Sequence, residues 1–257
     1  MNLVIDAGNT RIKLALFVSD KLVSLDAVTE WSEEALFRSF DQFPGIKSVI
    51  ISSVRGIPEW VPTFFADRRI PATVMSAHLP MPIRIGYESP GTLGKDRIAA
   101  AVAAAATFPG KPVLAIGAGT ALTFDLVLAD GLYPGGNISP GMRMRFKALH
   151  EQTASLPLVE PVAEVPLIGR NTREAILAGV INGMVYEIDN SINSLRNKYN
   201  DLRVILTGGD AAVLSKLLKN AIFVTDNLVL IGLNRILMHL NQEIRGSGAV
   251  DKHSNEK

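Results

Sequence analysis

Near its amino end the chain reads Leu3-Val4-Ile5-Asp6-Ala7-Gly8-Asn9-Thr10-Arg11, followed by the alternating run Ile12 to Phe17. A short apolar strand delivers an aspartate into a turn of small residues, and a second strand leaves at once. Gly8 lets the backbone come close to a ligand. Successive N–H groups in such a turn form a concavity that favours phosphate. Asp6, at the mouth of the turn, is placed to hold a hydrated Mg²⁺ that bridges phosphate oxygens. The same residues also make an ordinary hairpin, because Asp, Gly and Asn populate tight turns on conformational grounds alone. A second constellation is Gly86-Tyr87-Glu88-Ser89-Pro90-Gly91-Thr92-Leu93-Gly94-Lys95-Asp96-Arg97, a loop that runs into a helix. Phosphoryl transfer to an alcohol needs a carboxylate to orient the hydroxyl and take its proton. It also benefits from an arginine on the substrate or on developing charge. Asp96 and Arg97 are those two residue types side by side. They also read as a first-turn acid favourable to the helix dipole and a solvated arginine.

The first motif recurs. Val4-Ile5-Asp6-Ala7-Gly8-Asn9-Thr10 has a counterpart in Ala115-Ile116-Gly117-Ala118-Gly119-Thr120-Ala121, again followed by an apolar strand, Leu122 to Val127. Two distant copies predict a duplicated domain rather than a solenoid. A third glycine turn, Leu206-Thr207-Gly208-Gly209-Asp210-Ala211, follows the strand Arg203 to Leu206. Two hairpin turns facing across a cleft would grip a polyphosphate from both sides. That arrangement resembles the superfamily of actin, hexokinase and the heat-shock chaperone ATPases, in which the third turn lies against the adenosine.

The elements that must carry these turns follow from pattern. Strands are expected at Asn2 to Asp6, Arg11 to Phe17, Lys21 to Val28 and Ser48 to Ser52, with helices at Trp31 to Phe40 and Pro58 to Ala66. An Ala-rich helix runs from Gly94 to the stop signal Phe108-Pro109-Gly110. The second half restarts with strands Val113 to Ile116, Ala121 to Val127 and Leu132 to Ile138. Helices follow at Gly141 to His150 and Asn171 to Tyr199, the latter with capping-box spacing at Asn171 and Glu174. Strand Arg203 to Leu206, helix Asp210 to Leu218, strand Ala221 to Val224 and helix Leu228 to Leu240 complete the chain. The segment Gln152 to Leu167, broken by Pro157, Pro161 and Pro166, has no clear period. The pattern predicts an α/β fold twice over: residues 1–110, residues 111–244, and a disordered tail at 245–257.

The chain has 257 residues, 47% hydrophobic and 20% charged, enough for two ordinary domains with ample core. A formal net charge of +1 gives no electrostatic case for nucleic acid or an anionic membrane as partner. The absence of cysteine removes disulfides, thiolate ligands and a cysteine nucleophile, and it suits a reducing, cytoplasmic setting. No basic n-region precedes the first strand, and the most apolar run, Ile98 to Ala106, is too short to span a bilayer. Four histidines, among them His150 and His253, show no metal-ligand spacing. Trp31 and Trp60 are expected to be packing anchors. Gly135, Gly136, Pro140 and Gly141 are expected to shape a loop, and Arg143, Arg145 and Lys147 to form a solvated helix face.

Asp-Ala-Gly-Asn-Thr at 6–10, Gly-Lys-Asp-Arg at 94–97, Ala-Gly-Thr-Ala-Leu-Thr-Phe-Asp at 118–125, Gly-Gly-Asn-Ile-Ser-Pro-Gly at 135–141 and Thr-Gly-Gly-Asp at 207–210 occur in this order. Together they resemble type III pantothenate kinase, the first enzyme of coenzyme A biosynthesis in many bacteria. The resemblance covers nearly the whole chain up to the tail. It implies duplicated actin-like ATPase domains of ribonuclease H-like fold with a cleft between them. It also implies transfer of the ATP γ-phosphoryl group to pantothenate, giving 4′-phosphopantothenate. Asp6, Ala7, Gly8, Asn9, Thr10, Arg11, Ile12 and Lys13 would form the first phosphate loop, with Asp6 near Mg²⁺ through water. Thr120 would touch ATP in the second loop. Asp96 would be the catalytic base. Tyr87, Gly94, Lys95, Asp96, Arg97 and Thr172 would contact pantothenate, Thr172 reaching it from the neighbouring subunit of a homodimer. The family usually opens the second phosphate loop with an aspartate that binds K⁺ or NH₄⁺. This chain has Gly117 there, which implies a weakened or lost monovalent-cation site, with Asp125 the nearest acid along the next strand. Relatives of the family include a transcriptional accessory factor, and the superfamily includes kinases of other small alcohols and acids. These are the alternative readings.

Overall fold

The computed structural model describes residues 1–162 and 164–250. They divide into two compact units: Met1–Ala103 together with the chain from Leu228 onward, and Ala104–Asn227. This differs from the contiguous halves expected from pattern, because the last helix belongs to the first unit.

The first unit begins with strands β1 (Asn2–Ala7), β2 (Ile12–Val18) and β3 (Lys21–Val28), then helix α1 (Glu33–Gln42), β4 (Ser48–Ser53), helix α2 (Trp60–Asp67), β5 (Ala72–Val74) and the short strand β6 (Arg84–Ile85). Helix α3 (Lys95–Thr107) follows, and the boundary between the units falls within it. The sheet order is β3-β2-β1-β4-β5. β2 is antiparallel to β1 and to β3, whereas β4 is parallel to β1 and to β5. Alternation sets the faces of β1: Leu3, Ile5 and Ala7 join Leu36 of α1 and Val61, Phe64 and Phe65 of α2 in one core. Trp31 and Trp60 pack against that core, as anchors should.

The C-terminal helix, which comes last in the chain and is numbered below, covers β1 and β4 from Leu228 onward. Its Asn234 is buried, accepts from Asn2 Nδ2 at 2.8 Å and donates to the Ser19 carbonyl at 2.8 Å. Gly232 of the same helix lies so close to α3 that a Cβ there would stand 1.8 Å from the Ala99 carbonyl oxygen.

The second unit repeats the pattern with β7 (Val113–Ala118), β8 (Ala121–Val127), β9 (Leu132–Tyr133), β10 (Gly135–Pro140), α4 (Met142–Glu151), α5 (Thr172–Lys198), β11 (Arg203–Thr207), α6 (Ala211–Leu214) and β12 (Phe223–Val224). Helix α7 (Leu228–Val250) closes the chain. The sheet order β10-β8-β7-β11-β12 has the same run of two antiparallel and two parallel pairings as the first sheet. Its core joins Leu114, Ile116 and Ala118 to Phe146 of α4 and Ile181, Met184 and Ile188 of α5.

Three departures from expectation have physical causes. The strand expected over Leu132 to Ile138 is split, because Pro134 has no N–H to donate and Gly135 turns the chain at φ +141°. The helix expected over Asp210 to Leu218 is the single turn α6. Beyond it the chain tightens into i→i−3 bonds, the Lys216 N–H on the Val213 carbonyl at 3.3 Å and the Leu217 N–H on the Leu214 carbonyl at 2.9 Å, before the Asp189 carboxylate takes the Lys219 and Asn220 N–H groups at 3.1 Å each. Residues 245–250 of the expected tail continue α7, while 251–257 lie outside the described residues.

In an isolated helix Gly→Ala stabilises by about 1 kcal/mol, but at position 232 the methyl group would be driven into the α3 backbone. Gly232→Ala is therefore expected to destabilise the protein by about 1–3 kcal/mol, read as a lowered urea midpoint in equilibrium unfolding.

Candidate active site

Asp6 ends the buried strand β1. It pairs across the hairpin with Lys13 and lies beside Ser52 of the parallel strand β4. Burial raises its pKa above the ordinary aspartate value, and the nearby charge of Asp96 pushes the same way; Lys13 and a hydrogen bond from Ser52 oppose the shift. Asp6 and Asp96, far apart in sequence, are thus electrostatic neighbours in one unit.

The turn after Asp6 is closed by the Gly8 N–H on the Arg11 carbonyl at 3.0 Å. Asn9, Thr10 and Arg11 are exposed, and Ile12 returns to the core. The end of β4 holds the turn from behind. The Val54 N–H donates to the Ala7 carbonyl at 3.1 Å, and Arg55 Nε donates to the Gly8 carbonyl at 2.6 Å. The Arg55 guanidinium also donates to the Asn9 carbonyl, and Nη1 to the Thr29 carbonyl at 2.8 Å. Ser53 adds a side-chain bond to the Arg55 carbonyl and accepts the Arg55 N–H at 3.2 Å.

At the start of α3, Asp96 is exposed and its Oδ1 accepts the Arg97 N–H at 2.9 Å. A Cβ at Gly94 would lie 2.7 Å from that oxygen, so glycine there makes room for the carboxylate. Lys95 Nζ donates to the Ser53 carbonyl at 3.3 Å, which ties this segment to the end of β4. Arg97 is only 5% exposed, unlike the solvated alternative, and its guanidinium carbon lies 5.9 Å from the centre of the Tyr87 ring. Asp6, Lys13, Tyr87, Gly94, Lys95, Asp96 and Arg97 all belong to the first unit.

Thr120 and Thr172 belong to the second. Thr120 is exposed at the tip of the β7–β8 hairpin, where the Gly119 N–H donates to the Ala121 carbonyl at 3.1 Å. Two glycines press on this tip. A Cβ at Gly141 would stand 2.2 Å from the Gly119 oxygen, and one at Gly208 would stand 2.3 Å from the Ala118 oxygen. Gly208 also has φ +104°, which other residues rarely adopt. The Asp210 N–H donates to the Ala118 carbonyl at 3.0 Å, so the third glycine turn is fastened to the second hairpin. Burial raises the Asp210 pKa against the opposing charge of Arg143. Thr172 is exposed in the first turn of α5, whose cap Asn171 accepts the Glu174 N–H at 2.9 Å. Glu174 reaches back to the Arg170 N–H at 2.8 Å, one residue before the position a capping box predicts. Arg145 is not the solvated residue expected. It donates to the Pro140 carbonyl at 2.8 Å and to Ser139 Oγ at 2.9 Å, and it is paired with Glu187.

No group of three or more His, Asp or Glu that could hold a metal ion occurs among the described residues. Mg²⁺ needs no such cage, since one or two carboxylates, water and substrate phosphates suffice. Asp6 fits that requirement as a partly buried carboxylate at the mouth of the phosphate turn. Position 117 does not fit a carboxylate-based cation site. Gly117 faces Thr123 across the hairpin, and a Cβ at 117 would lie 2.7 Å from the Thr123 hydroxyl oxygen. Asp125 is buried and accepts from the Tyr133 hydroxyl at 2.7 Å.

Ser52, Ser53 and Arg55 were not singled out from sequence. Their signal is polar residues closing the otherwise apolar strand Val49-Ile50-Ile51, at the carboxyl end where open α/β sheets bind ligands.

Two like units, each with a β-hairpin turn at the carboxyl end of a central strand, define an actin-like ATPase fold. Solved structures share it. A Baf family transcriptional activator from Campylobacter jejuni matches with TM-score 0.60 at 20% identity, over 93% of this chain and 99% of that one. A glucokinase from an Antarctic psychrotroph matches with TM-score 0.51 at 11% identity, over 93% and 98%. Within this class the assignment is narrower. A family model for type III pantothenate kinase matches residues 2–194. A type III pantothenate kinase of Christiangramia forsetii is 44% identical over 241 residues, 92% of this chain and 98% of its own. One of Phocaeicola vulgatus is 45% identical over 241 residues, 93% and 98%. The chain belongs to the type III pantothenate kinase family. Among the described residues no helix is long and apolar enough to cross a membrane.

With Asp6 ionised inside the fold, burial costs stability. That cost is absent below its unfolded value of 3.8 and complete once pH has risen through the raised folded value. Asp6→Asn is therefore expected to raise the ligand-free unfolding free energy at pH 8, with a gain that shrinks as pH falls. Urea titrations at pH 8 and at a pH just below 3.8 check this, and an equal gain at both would contradict it.

Proposed function

We propose that this chain phosphorylates pantothenate on its primary hydroxyl with ATP, giving 4′-phosphopantothenate and ADP in the first step of coenzyme A biosynthesis. The observation that carries the reading is that one unit holds both Asp6, on the first phosphate turn, and Asp96, in the expected acceptor segment, the two segments being tied by Lys95 Nζ on the carbonyl of Ser53, which pairs with Ala7. Membership of the family and both glycine turns support it. A transcriptional accessory role is less favoured, since that function would not require this pair of acids. The Gly94 to Arg97 segment speaks against another acceptor.

The backbone of Asp6 to Lys13 binds phosphate oxygens of ATP, and Thr120, on the corresponding turn of its own unit, is the further ATP contact that the family resemblance implies. Mg²⁺, when bound, would supply positive charge to the phosphates, and Asp6 would hold it. Asp96 Oδ1 is occupied by the Arg97 N–H, which leaves Oδ2 to accept the hydroxyl proton. The alcohol oxygen then bonds to the γ-phosphorus, the bond from phosphorus to the β,γ-bridging oxygen breaks, and ADP departs with that electron pair. Tyr87, Gly94, Lys95 and Arg97 hold pantothenate, with Thr172 of the partner subunit completing the contact in a homodimer. The setting is cytoplasmic, in keeping with a chain that lacks cysteine.

Gly117 carries no carboxylate, and Thr123 fills the space a side chain there would use, so the K⁺ or NH₄⁺ site is weakened or lost. Titrating K⁺ at fixed ionic strength is expected to change turnover little; strong saturable activation would overturn this assignment. Asp96→Asn is expected to lower turnover by about two orders of magnitude or more with pantothenate binding largely kept. Pantothenate-dependent ADP release, beside calorimetric titration of pantothenate, tests both halves of that statement. Wild-type activity in the variant would remove Asp96 as the base.

A further inference from the structure

We infer that Arg55 is a positioning residue for the nucleotide. Its guanidinium aims the N–H groups of Asn9 and Thr10 at the phosphates by holding the carbonyls on the far side of the same peptides. The inference rests on the kinase reading above and adds a residue that neither the sequence motifs nor the family resemblance assigned.

Three bonds from one guanidinium reach two segments besides its own. Nε takes the Gly8 carbonyl at 2.6 Å, Nη2 takes the Asn9 carbonyl, and Nη1 takes the Thr29 carbonyl at 2.8 Å between β3 and α1. The Gly8–Asn9 and Asn9–Thr10 peptides are trans. In a trans peptide the C=O of one residue and the N–H of the next point in opposite directions. Fixing the Gly8 and Asn9 oxygens toward Arg55 therefore turns the Asn9 and Thr10 N–H groups the other way. Two successive N–H groups on one side of a turn form the concavity that favours an anion. A cation on the carbonyl end also polarises each peptide, which makes its N–H a stronger donor.

Arg55 is itself held in place. Its N–H and carbonyl both engage Ser53 Oγ, and Ser53 is paired with Ala7 in the β4–β1 register. The Ser53 carbonyl in turn receives Lys95 Nζ at 3.3 Å. Lysine could not replace the arginine, because a compact ammonium on a flexible stem lacks the planar fork that reaches several carbonyls at once.

Calorimetric titration with the non-hydrolysable analogue AMPPNP and Mg²⁺ needs no acceptor, so it tests Arg55 separately from the kinase reading. Arg55→Ala is expected to weaken AMPPNP binding by at least about tenfold, with the KM for pantothenate unchanged. Arg55→Lys, which keeps charge and stem and should fold if the alanine variant does not, is expected to lose a smaller factor. Free guanidinium at low millimolar concentration should restore part of the Arg55→Ala loss. Arg38→Ala, on an exposed helix face, should bind as wild type does. AMPPNP affinity within twofold of wild type in both Arg55 variants would overturn the inference. So would equal losses toward nucleotide and pantothenate, which would mark Arg55 as merely structural. If wild type bound AMPPNP but released no ADP with pantothenate, the kinase reading would fall while the Arg55 comparison stood.

Discussion

A carboxylate half-buried near the end of a strand is the constraint on which the first unit is arranged. β1 is flanked by strands on both edges and covered by helices, so Leu3, Val4, Ile5 and Ala7 are wholly buried and the chain is fully exposed only from Asn9. Ionising an acid there is unfavourable. The unit answers with partial compensation, Lys13 across the hairpin and Ser52 alongside, and not with a full ion-pair network. What remains is a group poised to gain from an added cation.

Duplication supplied the same scaffold twice, and the copies have since diverged at equivalent points. Asp6 pairs with Lys13 and Ala7 with Ile12; in the second unit Gly117 pairs with Thr123 and Ala118 with Leu122. The first turn is backed by a guanidinium on its carbonyls. The second is backed by two glycines whose lack of a side chain lets backbone meet backbone. One copy therefore holds its loop by charge and the other by close packing. The second tip is shaped by the close approach of Gly141 and Gly208.

Most of the framework was legible because period and punctuation are local properties. β3 and β8 have the bounds that alternation predicts, and the glycine turns lie where their residues announce them. The pairing of distant motifs needed the repeat, which is a comparison within the chain. What escaped was set by tertiary contact. Nothing local to Lys219 and Asn220 signals that Asp189, some thirty residues earlier, will take their N–H groups. Arg145 lies on a helix with a solvated pattern, yet Ser139, Pro140 and Glu187 claim it. Arg55 follows a strand as an isolated basic residue, and only the fold reveals the carbonyls it meets. Site residues carried by a contiguous motif could be read, and those that support the motif from another strand could not.

The return of α7 to the first unit bears on how the molecule is made. Residues 104–227 form an uninterrupted stretch and leave the ribosome as a complete set of strands and helices. The earlier residues must wait, with one face of β1 and β4 bare, until the final helix emerges to bring Asn234 to Asn2 and Gly232 to Ala99. Synthesis thus completes the inserted module before the one that encloses it in the chain. The unit bearing the two acids acquires that layer only after the whole inserted stretch has been made.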